Sequence, residues 1–312
     1  MSLVGIGLPV FNGENYLEEA IRSVVAQTFE DWEMIVCDNA STDRTADICR
    51  SYASMDPRIR CFRNETNLGA APNYNRSFQL ASGKYFKWFA HDDRLKPGYL
   101  AATVATLEAR PEVVLCNTAV DYIGARGEHL GYYKSVIEKT DVPSASERFA
   151  VMILSSHVNV DLFGLVRRSA MENSLLHQAF SGADKVFQAQ MALRGRLVQL
   201  PEPLVEMREH GARYTRATAS ARTKLAWHDT KLSGKIDIPV LTLYRTYKYL
   251  VENENLDEIE RRGCRRVLTR FWVSSWNGAR LAADLLALPF PRAVSVAWRV
   301  KHKLFGSPGN FI

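Results

Sequence analysis

The chain contains no stretch of about 18 uncharged apolar residues, so no segment reads as a membrane-spanning helix. Its first residues, MSLVGIGLPVF, lack the basic start and long apolar run of a secretory signal. Cysteine is scarce: Cys37, Cys49, Cys61, Cys116 and Cys264 are odd in number, scattered and without a CxxC pair. That usage argues against a disulfide framework or a zinc site and for buried thiols in a reducing compartment, the cytoplasm. No internal repeat or low-complexity tract occurs. With 46% hydrophobic and 24% charged residues, 312 residues suffice for a large core, as one big or two modest domains.

Two common nucleotide-binding motifs are missing as well. GIGLPV supplies Gly5 and Gly7, but Val10 stands where a dinucleotide fingerprint needs its third glycine. Pro9 also has no N–H to offer a pyrophosphate, so a nicotinamide or flavin site is not expected. No GxxxxGK[ST] run occurs, which excludes a P-loop.

Charge is unevenly placed. Residues 231–312 hold 14 Lys and Arg against 7 Asp and Glu, an excess of seven. The whole chain carries only +6, so all of its net charge belongs to the C-terminal quarter. An acidic partner is expected there.

Hydrophobic periodicity alternates through the first hundred residues. LVGIGLPV, WEMIVCD, IRCFRN and residues 84–90 read as strands; residues 15–26, the run after NASTDRT, and 70–81 read as helices. Asn12 or Asn15 would cap the first helix. This order predicts a mostly parallel sheet with helices on both faces, and such sheets bind ligands beyond the carboxyl ends of their strands. Further on, 113–123 reads as a strand, 124–131 as a hairpin turn, 144–156 and 183–194 as helices, LVQLPEPLVEMREH as a short strand pair, and the chain from about 221 as helical.

The stretch KYFKWFAHDD ends an apolar strand on His91, Asp92 and Asp93. Adjacent carboxylates repel, and burying them is costly unless a cation or donor meets them. A divalent ion such as Mg²⁺ or Mn²⁺ suits the pair, because it accepts one or two carboxylates and completes its shell with phosphate oxygens and water. A solvated turn or a helix cap is the plainer alternative.

Taken together, LPVFNGENYLEEAIRSVVAQTFEDWEMIVCDNASTDRT, NLGAAPNYNRSFQLASGKYFKWFAHDD and LKPGYL resemble the nucleotide-sugar domain of the family 2 glycosyltransferases. The match covers residues 3–100 with family spacing, and weaker echoes reach residue 210. It implies a GT-A fold, an α/β architecture with a helical C-terminal extension. It also implies inverting transfer of a sugar from a nucleoside diphosphate to an acceptor hydroxyl, as in polysaccharide or glycan biosynthesis, with a glycan or lipid-linked acceptor. Residues 1–220 would be the catalytic domain, with 1–100 the donor half and 101–220 the acceptor half, and 221–312 a helical basic region.

Carried over position by position, the resemblance places Pro9, Phe11, Asn12 and Glu14 in the first loop, near the base and ribose. Phe11 stands where the family often has Tyr. Asp38 matches the acidic residue that binds the nucleoside, and Asn67 and Asn75 fall with the donor-site residues. Asp92 and Asp93 match the last two positions of the metal motif, Asp92 toward the donor and Asp93 as direct ligand to Mn²⁺ or Mg²⁺; His91 replaces an aspartate. Asp184, at the start of a helix, matches the catalytic base, with Ala183 where the family has Glu. Arg208 and His210 resemble an Arg-x-His near the diphosphate, where they would neutralise the leaving group or His210 would complete the metal shell; an exposed loop after a strand is the plainer alternative. Asp161 is a further acceptor-side candidate. As a plainer role, Asp184 would only cap its helix.

In the C-terminal region, Leu268, Phe271, Trp272, Trp276, Ala279, Ala282 and Leu286 would line one face of a helix, with Arg270, Asn277, Arg280 and Asp284 opposite. Such helices either pack on the catalytic domain or a second subunit, giving a homodimer, or anchor peripherally on anionic lipid at the inner face of the membrane. Two other functions compete. A sugar-1-phosphate nucleotidyltransferase needs a Gly-rich loop with a basic residue, which residues 5–14 do not offer. A non-catalytic donor-binding module has no use for Asp184. Nucleic acid is the least favoured partner, since no known motif accompanies the basic segment.

Overall fold

The structure is a computed structural model that describes residues 2–211, 227–232 and 238–287. Its scaffold is a nine-stranded sheet: β1 (Val4–Val10), β2 (Trp32–Asp38), β3 (Ile59–Arg63), β4 (Tyr85–Trp88), β5 (Arg94–Leu95), β6 (Val113–Ile123), β7 (His129–Tyr133), β8 (Leu165–Arg167) and β9 (Arg196–Arg208). The spatial order is β3-β2-β1-β4-β8-β6-β9-β5, with β7 beside β6. Strands β3, β2, β1 and β4 are parallel, β8 runs against β4 and β6, and β9 is again parallel to β6. The expected mostly parallel sheet is therefore present, with antiparallel pairing beyond β4.

Helices α1 (Leu17–Val25), α2 (Thr45–Met55), α3 (Ala70–Leu80), α4 (Tyr99–Ala109), α5 (Ala145–Leu154), the short α6 (Arg168–Met171) and α7 (Ala183–Arg194) connect or cover these strands. Helix α1 buries Leu17, Ala20, Ile21 and Val24, one stripe at helical spacing, against Val4, Ile6 and Leu8 of β1. Every residue of β1 is buried because both of its faces are covered. Gly5 and Gly7 serve that packing. A Cβ on Gly5 would lie 2.3 Å from the Ser82 carbonyl oxygen, and one on Gly7 2.4 Å from Ser77 Oγ. These glycines let α3 lie on the strand.

Past residue 237 the chain forms α8 (Pro239–Asn253), α9 (Glu258–Phe271) and α10 (Asn277–Ala287). Tyr247, Leu250, Val267, Leu268 and Phe271 share one core with Phe149 of α5 and Phe187 of α7, so α8 and α9 pack on those two helices. Full burial of each such side chain is worth about 1.5–3 kcal/mol. Among the described residues no helix is long and apolar enough to cross a membrane.

Three local expectations are corrected. Asn12 and Asn15 do not cap α1, whose first turn bonds to the Gly13 carbonyl; Asn12 instead takes the Thr42 N–H at 2.9 Å with a φ of 51°. Residues 196–208 form one 13-residue strand instead of a pair, its pairing to β6 shifting register near Ala119 to accommodate Pro201 and Pro203. The expected helix through 268–286 breaks after Phe271: Trp276 takes a φ of 58° and is 67% exposed, whereas Asn277 is buried and donates to the Phe271 carbonyl at 2.9 Å. The rest of the expected helical basic region, residues 288–312, lies outside the described residues.

Candidate active site

The carboxyl ends of β1, β2, β3 and β4 converge with the end of β9, and the polar groups of the chain gather there. Strand β4 alternates: Phe86 and Trp88 join the core with α3 and α7, while Tyr85 and then Phe89 face the core under α1 and α4. The chain then turns through His91, Asp92 and Asp93, and each carboxylate finds a donor. The backbone N–H of Arg208 donates to Asp93 Oδ1 at 2.9 Å, and His210 Nε2 lies 2.9 Å from Asp92 Oδ2. Asp93 is only 3% exposed. The end of β9 thus makes it feasible to end an apolar strand on two acids. His91 packs against the first loop, where a Cβ on Gly13 would lie 2.8 Å from its ring. Burial holds the His91 imidazole below its ordinary value, against the pull of Asp92.

Arg208 has an unexpected place. Its guanidinium is 1% exposed and donates to the carbonyls of Asp92 (2.9 Å), Gly124 (3.3 Å) and Ala125 (3.1 Å), pairs with Glu19, and lies over the Tyr16 ring. It braces the turn that carries the carboxylates.

The loops after β1 and β2 are stitched together. Asn12 N–H donates to Ser41 Oγ (2.9 Å), Gly13 N–H to Thr45 Oγ1 (2.8 Å), and Glu14 N–H to Asp43, while Glu14 Oε2 takes the Arg44 N–H at 3.1 Å. Asp38, at the end of β2, accepts the Ser41 N–H at 2.9 Å and pairs with Arg63. Phe11 projects from this double loop, 44% exposed, whereas Pro9 stays inside β1 opposite Cys37. Beside it runs a ladder of amides. Asn39 donates to Asn67 at 2.9 Å, and Asn64 donates to Asn39 at 2.8 Å and to Asn73 at 2.9 Å. Nothing local in the sequence announces that Asn39, Asn64 and Asn73 bond one another.

Asn75 bonds the His177 backbone in both directions, at 2.9 and 3.0 Å, and so ties α3 to the loop before α7. Asp184 lies in the first turn of α7 and accepts the Lys185 N–H at 2.9 Å; Gly182 holds the N-cap position with a φ of 96°. Asp184 therefore stands inside the first turn and not at the N-cap, and its carboxylate meets one first-turn N–H. Asp161 is fully buried, held by Asn117 Nδ2 at 3.0 Å and by Ser135, and burial pushes its carboxyl up to about 6. Through Tyr99, Asn117 connects it to Lys87, a buried amine that periodicity did not flag and that burial pushes down to about 7. Asp161 thus lies in the protein interior, in the short 3-10 turn Val160–Phe163.

Among the described residues no three His, Cys, Asp or Glu side chains form a metal cage. Asp92 and Asp93, the expected ligand pair, would offer a divalent ion only part of its shell, the rest coming from a diphosphate and water. His210, beyond the end of β9, meets Asp92, beyond the end of β4, through the very atoms that would ligate.

Similarity to known proteins agrees with this geometry. Residues 6–175, more than half of the chain, match the model of glycosyl transferase family 2. An uncharacterized glycosyltransferase of Haemophilus influenzae is 26% identical over 67% of this chain and 66% of its own length. The putative teichuronic acid biosynthesis glycosyltransferase TuaG of Bacillus subtilis is 38% identical over 30% of this chain and 37% of its own. The chain spans two thirds or less of the first curated relatives it matches. Among solved structures, S. aureus TarS 1–349 in complex with UDP-GlcNAc superposes with a TM-score of 0.65 at 18% identity, covering 92% of this chain and 78% of that one. The mannosyltransferase PcManGT from Pyrobaculum calidifontis, in complex with GDP-Man and Mn²⁺, gives 0.57 at 16% identity, covering 97% and 81%. At such identities the likeness is one of fold, the GT-A type. The chain belongs to glycosyl transferase family 2.

Proposed function

We propose that the chain transfers a sugar from a nucleoside-diphosphate sugar to an acceptor hydroxyl, with inversion and with the help of Mn²⁺ or Mg²⁺, in the making of a polysaccharide or other glycan. The observation that carries this reading is the Asp92–Asp93 pair at the end of β4, clamped by the end of β9. The nucleotide-sugar complexes of the two structural neighbours and the name of TuaG support the donor and product classes.

In this reading Phe11 stacks near the base, and Asp38, kept in place by Arg63 and the Ser41 N–H, receives the nucleoside. Asn12 and Glu14 fix the loop that carries Phe11, and Asn67 and Asn75 shape the donor side. Asp93, Asp92 and His210 would hold the divalent ion, which when bound neutralises charge on the departing diphosphate. Arg208 keeps the turn of Asp92 in place. Asp184 takes the proton of the acceptor hydroxyl as its oxygen attacks the anomeric carbon from the face opposite the diphosphate. The nucleotidyltransferase alternative is weakened by Gly5 and Gly7, which pack against α3 and do not form a phosphate loop. The test is a thermal shift with UDP-GlcNAc and GDP-mannose in the presence of Mn²⁺. One of them should raise the melting temperature by mass action, and chelation should abolish the rise. No shift with either would count against the proposal.

We also propose that the enzyme works in the cytoplasm, peripherally at the inner face of the membrane. Ile259 (76%), Val273 (85%) and Trp276 (67%) are exposed near the exposed Arg266 and Arg270 of α9, a mixture that suits anionic lipid.

A further inference from the structure

Where residues 155–159 meet the first half of α7, two buried hydrogen-bond acceptors have no donor among the described residues. His157 Nδ1 lies 3.1 Å from the Ser155 carbonyl oxygen. A carbonyl can only accept, so Nδ1 carries the proton and Nε2 presents its lone pair. That Nε2 is buried and has no partner among the described residues. Burial and then the Lys185 ammonium hold the imidazole below its ordinary value, against the Ser155 carbonyl and Asp184, so the ring is neutral near pH 7. Gln188 is fully buried on the same side of α7. Its Nε2 reaches Asn159 Oδ1 at 3.5 Å, and its Oε1 has no donor among the described residues. Rotating the amide would not help, since it would set two oxygens against each other. Asp184 precedes Gln188 by four residues and shares its helix face.

Buried polar atoms without partners are rare in native proteins and ask for an explanation. Here two of them lie beside the carboxylate proposed as the base, and all three groups accept hydrogen bonds. We propose that His157 and Gln188 form the acceptor subsite and receive two hydroxyl groups of a glycan acceptor beside Asp184. This assignment rests on the transferase reading above. The chemistry selects the ligand class. Neighbouring hydroxyls of a pyranose bring two O–H donors on a rigid ring. A phosphate or carboxylate at the same place would bring no protons and would meet Asp184, with Lys185 as the cation at hand.

The experiment compares wild type, His157→Phe and Gln188→Met with UDP-GlcNAc or GDP-mannose, whichever binds, plus Mn²⁺. Nucleoside diphosphate release is measured in water alone and with a panel of octyl β-glycosides, and the donor dissociation constant by calorimetry. Both variants should raise the acceptor KM by ~10-fold, the scale of one lost buried hydrogen bond, and leave donor affinity and release in water within about twofold. If His157→Phe does not fold, His157→Asn carries the same expectation, because its shorter side chain withdraws the acceptor without crowding. Acceptor KM values within about twofold of wild type in both variants would overturn the subsite. So would a wild type that releases nucleotide in water yet responds to no glycoside. A wild type that binds neither donor would instead overturn the transferase reading, and the subsite with it.

Discussion

His210 Nε2 lies 2.9 Å from Asp92 Oδ2, a contact between residues 118 apart in sequence. Together with the Arg208 N–H on Asp93, it locks the end of β9 onto the end of β4. Asparagine at position 93 can still accept that N–H but carries no charge for a cation. Asp93→Asn should therefore keep its fold and weaken Mn²⁺-dependent donor binding by ~10–100-fold, a loss of the size seen when a metal shell is disturbed. Calorimetry with and without Mn²⁺ measures it, and unchanged metal dependence would remove Asp93 from the site.

Arg208 separates a brace from a diphosphate contact. Its removal strips donors from three carbonyls and a partner from Glu19. Arg208→Gln should lower the stability of the ligand-free protein by at least ~2 kcal/mol, given ~1–3 kcal/mol for each buried group left unpaired. Urea unfolding without donor reads this directly. Wild-type stability with reduced donor affinity would favour the diphosphate contact.

Much of this was legible in the sequence, and the exceptions have physical causes. Strands β1 to β4 and helix α3 stand where their periodicity puts them, because buried parallel strands and a one-sided helix leave strong local patterns. The break at Trp276 does not, since one positive φ interrupts a helix without disturbing its apolar spacing. Asn12 looks like a cap until Thr42, thirty residues away, takes it. Arg208 reads as an active-site cation because its partner Glu19 is 189 residues distant. Lys87 is concealed in a strand whose neighbours are all apolar or aromatic, and only the tertiary fold brings it Tyr99 and the Phe163 carbonyl.

Lys87 yields a pH prediction. Burial lowers its value from 10.5 to about 7, with Asp93 opposing, so between these limits the unfolded chain binds a proton that the folded chain refuses. Stability that depends on Lys87 is therefore lost as pH falls from about 10.5 to about 7 and is level below that. Lys87→Met should gain on wild type by on the order of a few kcal/mol as pH drops from about 10 to about 7. Unfolding curves at several pH values check it; a constant difference would show that the amine is not desolvated.

The exposed Val273 and Trp276 bear on the membrane. Full-length protein should co-float with vesicles containing phosphatidylserine at low salt and leave them at high salt. The double variant Val273→Ser, Trp276→Ser should float several-fold less, while activity on a soluble acceptor stays near wild type. Equal flotation of the double variant would place the contact elsewhere.

The central claim, that α7 supplies the base of an inverting transfer, is tested most directly by Asp184→Asn. The amide keeps the size of the carboxylate and can still accept the Lys185 N–H, but it cannot take a hydroxyl proton. With wild type and variant compared by kcat and by donor dissociation constant, kcat should fall by ~10²–10⁴-fold, the usual worth of a general base, while the donor dissociation constant stays within about twofold. Near wild-type turnover in Asp184→Asn would contradict the account.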